Sequence, residues 1–320
     1  MVQGAFFFVA TFIKLCDGVR GSNCAEPIPR VVASATRPEL VASIVREFGA
    51  VVVEGAADEA AMDALSVDLR ERNGTFFGAK GSFAGADTTR NAGKPLAEST
   101  VAQRLAVDEL VVGTARDLLE PFCKRIILGT CSVISVHPPN GEPAPPQDLH
   151  RDDSMWAAKE LAACDAHLSL SAMWAIKDFT AANGATRIAL RSHLSCRARE
   201  PTDFSADELA VAEMRKGDVL LWAGGTIHGA GSHMPGDVDN TTREGCLFIY
   251  NLGFLRSEHN FHNAMPPDVI GALPEDLKHL MGYYGKNAIE HPWYTGPVYA
   301  QPFLGAKGGS AAGDGVQFNT

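Results

Sequence analysis

No two of the seven cysteines, at positions 16, 24, 123, 131, 164, 196 and 246, form a C-x-x-C pair. An odd, scattered set argues against a disulfide framework and against the spacing of a structural zinc site. It fits reduced, mostly buried thiols in a cytoplasmic protein. Basic charge is also scarce: 28 Lys and Arg against 38 Asp and Glu leave a formal net charge of −10. A general nucleic-acid or anionic-membrane binder needs a basic stripe, so the expected partner is a small molecule, with no nucleic acid and no membrane. The apolar run from Ala5 to Ile13 is far too short to cross a bilayer, and no basic residue precedes it as a secretory signal requires. It reads as an extension or as a strand packed against the body. No internal repeat is visible, which argues against a solenoid or propeller.

What is present is ordinary for a globular chain: 320 residues, 46% apolar and 21% charged. The expected organisation is an N-terminal extension over 1–36, one domain over 37–304 and a Gly- and Ala-rich tail over 305–320. A homodimer is compatible with the composition. Helical spacing of Leu40, Val41, Ile44, Val45 and Phe48 predicts a helix from Arg37 to Phe48, ended by Gly49 and followed by a buried strand, Ala50 to Val53. Further helices are expected over Asp58–Arg72 and Asp108–Cys123. Between them, 75–100 reads as a loop carrying Phe76, Phe77 and Phe83, either a plain connection or an apolar lid.

From Arg125 the chain turns β-rich. Strands are expected over Arg125–His137, Ala166–Ile176, Ala185–Leu190, Val219–Ala223 and Gly245–Leu252, with turn signals at Asn183-Gly184 and Lys216-Gly217-Asp218. A short helix should begin at Ser205, and another should run from Pro267 to Met281. Helices first and many short strands after them predict a mainly β barrel or sandwich braced by helices.

The chemistry centres on Gln147-Asp-Leu-His150-Arg-Asp152. On a strand, His150 and Asp152 would share a face and offer an imidazole and a carboxylate to one metal ion. Alone the pair also reads as an exposed polar turn after Pro143-Ala-Pro-Pro146. A second histidine, His228, stands at a strand end before Gly229-Ala-Gly231, small residues that would let it approach a metal without crowding. Arg243 opens the last strong strand, and a buried guanidinium there needs an anionic partner because it cannot lose its proton. Asp153 is expected to point away from the metal as a supporting or solvated acid. His193 is read as structural, and Trp156, Trp174 and Trp222 as core residues, one of which could wall a pocket.

Taken together these pieces resemble the phytanoyl-CoA dioxygenase family of Fe(II)/2-oxoglutarate-dependent oxygenases. The resemblance rests on Gln147-x-x-His150-x-Asp152, Asn183-Gly-Ala-Thr186 leading to Arg191-Ser-His193, Lys216-Gly-Asp218 with Trp222, His228-Gly-Ala-Gly, Asn240-Thr-Thr-Arg243 and the stretch from Tyr250 to Asn260. It runs from about Arg37 to Phe303. It implies a double-stranded β-helix (jelly-roll) core, with His150, Asp152 and His228 as iron ligands. Gln147, Thr186 and Arg243 would hold 2-oxoglutarate, and O2 would be the oxidant. The segment 232–237 is longer than is typical for the family, which makes Arg256 the alternative clamp. Hydroxylation of a small hydrophobic substrate such as a natural product is the implied reaction, with desaturation or rearrangement as variants. A ligand-binding jelly roll without turnover, or a cupin-like metalloenzyme without 2-oxoglutarate, would share the same core.

Overall fold

The computed structural model describes residues 25–69, 75–76, 89–92, 95–139, 141–156, 166–194, 199–235 and 242–283. Strand β1 (Arg30–Val32) opens this region, followed by helix α1 (Pro38–Phe48) and β2 (Ala50–Glu54). Pro38 starts α1, where a missing N–H costs nothing, and Gly49 ends it in the left-handed conformation (φ 88°). Helix α2 (Glu59–Leu69) leads to two short strands, β3 (Thr75–Phe76) and β4 (Thr89–Ala92). Three helices follow: α3 (Pro95–Glu98), α4 (Thr100–Ala106) and α5 (Glu109–Leu119), the last two capped by the Ser99 and Asp108 side chains. The remaining strands are β5 (Ile126–Val136), β6 (Ser169–Ala175), β7 (Thr186–Ile188), β8 (Ala210–Ala212), β9 (Val219–Ala223), β10 (His228–Ala230) and β11 (Arg243–Leu252).

They form a large sheet of order β1-β2-β9-β6-β11-β5-β4-β3 and a small one of order β10-β7-β8. Among the described residues only β1–β2 is parallel, and the other pairings within the two sheets are antiparallel. The fold is a double-stranded β-helix with bracing helices, the form of the mainly β body that the family resemblance implied. Its main core lies outside the roll. There Val51, Trp174, Leu221, Phe248 and Tyr250 of the large sheet pack against Val41, Val45, Met62 and Leu118 of the helices. A second core, including Val52, Met173, Ile188, Leu220 and Trp222, fills the roll between the two sheets. Because both faces of the large sheet are covered, β11 is apolar and buried along most of its length rather than alternating with solvent.

Several expectations shift. β1 pairs with β2 and Ile28 is buried, so the body begins before residue 37. The presumed loop at 75–100 carries β3, β4 and α3, and β4 extends the large sheet along β5. The lid residues Phe77 and Phe83, the run 5–13 and the tail 305–320 lie outside the described residues. The expected C-terminal helix is two, Pro267–Ala272 and Glu275–Leu280, because Pro274 removes a backbone donor between them. The short helix after Ser205 is a single 3-10 turn, Ala206–Glu208, with a capping box. Cys131 and Cys246 are buried free thiols. Among the described residues no helix is long and apolar enough to cross a membrane.

The turn before β9 gives a sharp test. Gly217 has φ 92°, and a Cβ there would strike the Ala57 carbonyl oxygen, whereas Gly55 (φ 63°) has open space around it. Gly217→Ala should cost about 3 kcal/mol or more, and Gly55→Ala only about 1 kcal/mol. Urea midpoints of the two variants check the difference.

Candidate metal centre and cosubstrate pocket

The segment 144–150 runs antiparallel to β10 and enlarges the small sheet without forming a regular ladder. Pro145 and Pro146 lack the N–H groups a ladder needs, so pairing is confined to single bridges. Ala144 N–H donates to His233 O (2.9 Å), Gln147 N–H to Ala230 O (3.1 Å) and His150 N–H to His228 O (2.9 Å); His228 N–H returns to His150 O (3.0 Å). Residues that exchange both bonds stand directly opposite and share a face. The two imidazoles therefore meet, their ring centroids 4.3 Å apart.

Asp152 joins them by a different route from the one expected. It is not on a strand but begins a 3-10 turn, Asp152–Met155. Arg151, between the two metal-type residues, is buried and serves as a strut. Its Nε donates to Gly225 O (3.0 Å) and its Nη2 to Arg199 O (2.8 Å). This side chain carried no sequence signal beyond its place inside the His-x-Asp pattern. The turn brings Asp152 Oδ1 to 3.4 Å from His228 Nε2 and 3.8 Å from His150 Nε2. Ligand atoms of all three lie within 4.8 Å of one another.

The surroundings turn the right atoms to the centre. His150 Nδ1 faces Asp148 O at 2.9 Å, and His228 Nδ1 faces Thr226 O at 3.0 Å. A carbonyl can only accept, so each Nδ1 carries a proton and, in the neutral ring, each Nε2 presents its lone pair to the centre. Asp152 Oδ2 accepts from Ser171 Oγ (2.6 Å) and Trp222 Nε1 (2.9 Å), which leaves Oδ1 for the centre. Trp222 is thus more than a core residue; its indole N–H aims the carboxylate. Two nitrogens, one carboxylate oxygen and no thiolate suit a non-haem Fe(II) with positions left open.

Electrostatics follow from this packing. Burial and the neighbouring His228 push His150 down to about 4, so it is neutral at physiological pH. Burial also opposes charge on Asp152, but His228, His150 and the Ser171 hydrogen bond outweigh it and hold the carboxyl well below its usual range. Burial disfavours a charged His228, yet the Asp152 carboxylate beside it wins and raises its pKa. Asp153, expected to be solvated or supporting, is fully buried and contributes to the same rise.

Gly229 and Gly231 do not make room for a metal as expected. A Cβ on Gly229 would press on the Gln147 and Asp148 carbonyls at 3.1 Å, and one on Gly231 on Ala185 O at 2.8 Å. They let neighbouring backbone approach β10.

The expected cosubstrate residues lie around the same interior. Thr186 pairs with Ala230 as Ile188 pairs with His228, so Thr186 shares the inward face of the small sheet. Gln147 is partly engaged: its Oε1 accepts from Ala230 N–H at 3.1 Å. Arg243 is 2% exposed; its Nη1 donates to Gly184 O (2.6 Å), its guanidinium lies over Phe179, and its Nε has no partner. Asn183 shapes the turn that presents Gly184, through Thr180 N–H to Oδ1 (2.8 Å) and Nδ2 to Asp178 O (2.9 Å). Burial alone pushes Arg243 down to about 10, still charged at neutral pH and without a carboxylate partner among the described residues. Arg256, the alternative, is exposed beyond the opposite end of β11. His193 is structural as expected, with Nε2 3.0 Å from Arg46 O.

A divalent metal must displace the proton that Asp152 favours on His228. Metal binding should therefore release protons and weaken as pH falls through the raised His228 pKa. Calorimetric titration with Mn(II) in buffers of different ionisation enthalpy checks this. Trp222→Phe, which frees the Asp152 carboxylate, should weaken metal binding about tenfold to a hundredfold in the same titration.

Comparison with known proteins agrees with this geometry. The family profile described as phytanoyl-CoA dioxygenase (PhyH) matches residues 45–237. Dioxygenase cdmA of Talaromyces verruculosus is 27% identical over 269 residues, covering 81% of this chain and 87% of its own. The iron/alpha-ketoglutarate-dependent dioxygenase ausO of Aspergillus calidoustus is 34% identical over 142 residues, covering 43% of this chain and 47% of its own. Among solved structures, the epimerase SnoN in complex with Fe3+, alpha ketoglutarate and nogalamycin RO aligns with a TM-score of 0.52 at 19% identity. That alignment covers 72% of this chain and 90% of SnoN, and it shows a shared fold. The chain belongs to the phytanoyl-CoA dioxygenase (PhyH) family and is a 2-oxoglutarate-dependent non-haem iron dioxygenase.

Proposed function

We propose that this dioxygenase hydroxylates an unactivated C–H bond of a small, largely apolar organic substrate of the natural-product kind. The observation that carries the site assignment is the pairing of a complete His150–Asp152–His228 set with a buried, carboxylate-free Arg243 in one roll. His150, Asp152 and His228 would hold Fe(II). Arg243 would clamp the distal carboxylate of 2-oxoglutarate, with Thr186 beside it and the free amide nitrogen of Gln147 as a further donor. Bound iron and cosubstrate supply an O2-derived oxidant able to take hydrogen from carbon, with succinate and CO2 as coproducts.

The protein's own contribution is aim and dryness. Ser171 and Trp222 keep the Asp152 carboxylate turned to the centre, and the two backbone carbonyls hold the Nδ1 atoms so that both Nε2 atoms face it. The triad side chains are only 6–16% exposed, which limits water at the centre. A carboxylate at position 152 completes the ligand set, leaves no ligand position for halide and so favours hydroxylation over halogenation. The substrate class is supported by the nogalamycin RO held in the SnoN complex.

An uncompensated buried guanidinium costs several kcal/mol, which a dicarboxylate would offset. Arg243→Leu should therefore raise the 2-oxoglutarate Kd about a hundredfold while leaving the ligand-free thermal midpoint unchanged or higher. His150→Ala should abolish O2-dependent succinate release, measured with an anaerobic control. Succinate formation that survives either condition, or an unchanged Kd in the Arg243 variant, would overturn the assignment.

A further inference from the structure

Polar side chains continue along the inner face of the large sheet, past the triad, at the end away from Arg243. Arg243, Gly245, Leu247, Ile249 and Asn251 alternate onto that face of β11. Ile249 pairs on one side with Ser171, the donor to Asp152, and on the other with Thr130. One step further, Asn251 pairs with Ser169. Asn251 is fully buried, and neither its Nδ2 nor its Oδ1 has a hydrogen-bond partner. Ser169 Oγ is buried and unpartnered as well, and the Thr130 hydroxyl meets Glu258.

Two glycines make room for these side chains. Gly129 is the residue skipped where the β5–β11 register shifts, and a Cβ on it would collide with the Asn251 amide. A Cβ on Gly224 would collide with Ser169 Oγ. The stretch after β11 completes the group. Ser257 Oγ donates to Leu128 O (3.0 Å) and His259 N–H to Gly129 O (3.0 Å), which lays Glu258 beside Thr130 and within reach of the Asp152 charge. Glu258 titrates above the usual glutamate range: partial burial raises it, the Thr130 hydroxyl opposes this, and Asp152 adds to it. Glu258 is itself exposed, and it also lines a cavity of about 370 Å³ with Leu96, Cys131 and Met265 of the helix-side core.

Interiors satisfy nearly all their buried polar groups, so several left open together mark a place where something else binds. We propose that Asn251, Thr130, Ser169 and Glu258 form a recognition site for a hydroxyl group of the substrate, across the triad from the 2-oxoglutarate arginine. The proposal rests on the dioxygenase reading above and narrows its substrate to molecules that already carry an alcohol. A hydroxyl fits because it can donate to the Glu258 carboxylate and accept from Asn251 Nδ2 at once; a protonated amine can only donate. Held by that hydroxyl, the substrate turns one neighbouring carbon towards the metal.

The probes are matched pairs, decalol with decalin and a hydroxysteroid with its deoxy parent, added anaerobically to protein loaded with Fe(II) and 2-oxoglutarate. The readout is the shift of the weak visible charge-transfer band. The alcohols should act at concentrations about tenfold or more below their deoxy parents. Asn251→Leu and Glu258→Leu should each remove that preference, and Glu258→Gln should keep part of it. Without ligand, Asn251→Leu should hold or raise the thermal midpoint, because it removes a stranded amide rather than a bond. Alcohols and deoxy parents that behave alike, a preference that survives both leucine substitutions, or a lowered midpoint in Asn251→Leu would overturn the proposal. A wild-type protein that forms no band at all would instead strike the dioxygenase reading beneath it.

Discussion

The site depends on one pair of backbone hydrogen bonds, those exchanged between His150 and His228. They set two residues far apart in the chain directly opposite each other, and the shared face follows from strand geometry alone. The approach is enforced from both sides. Prolines prevent the 144–150 segment from zipping further along β10, and Gly229 lets its carbonyls come close. A slip of one residue would turn one imidazole out of the roll, so the register sets the triad. The second link is Arg151, whose buried guanidinium ties the turn that carries Asp152 to backbone at Gly225 and Arg199.

Around that bridge the protein keeps unfavourable charge in place. Desolvation opposes the charge on Asp152, on a protonated His228 and on Arg243, yet only Asp152 and His228 can compensate each other. Arg243 has a carbonyl, an aromatic face and an empty Nε. A sequence selected for stability alone would place an apolar side chain there. Keeping the guanidinium is the kind of local cost that binding sites carry and the surrounding core offsets.

Much of the fold was legible in the sequence where periodicity and punctuation agreed. α1, with its apolar face and Gly49, and the runs that became β5, β6, β9 and β11 were placed to within a few residues. The small sheet was harder to see. β8 and β10 are three residues each, too short for any period to show, and β10 is read as a strand only because its partners hold it. Gly, Ala, Ser and Thr around β3 and β4 read as loop, yet the edge of β5 supplies the hydrogen bonds that make β4 a strand. At the site, the pattern carried the residue types but not their geometry. His150, Asp152 and His228 were recognisable as a ligand set, but Asp152 reaches the centre by a 3-10 turn rather than by strand alternation. Nor could spacing reveal Trp222 and Ser171 as the groups that aim it. Their role arises from β6–β9 pairing, which sets Ser171 against Trp222 across the strands.

On the proposed assignments, β11 would let one roll serve two molecules at once. The strand is continuous along its ten residues, and its inward positions run from Arg243 through the level of the triad to Asn251. Opposite neighbours on β5 and β6 repeat the same gradation, apolar at Val136 and Ala175 near the arginine, polar at Thr130 level with the Asp152 donor Ser171, and polar at Ser169 beyond it. Strand pairing keeps these rows at fixed spacing, so a cosubstrate held at one end and a substrate held at the other cannot both drift relative to the metal between them. Rigid elements position reacting groups more closely than loops do. The bulge at Gly129 is where this regularity is deliberately broken, and the break opens the pocket into which the Asn251 amide turns.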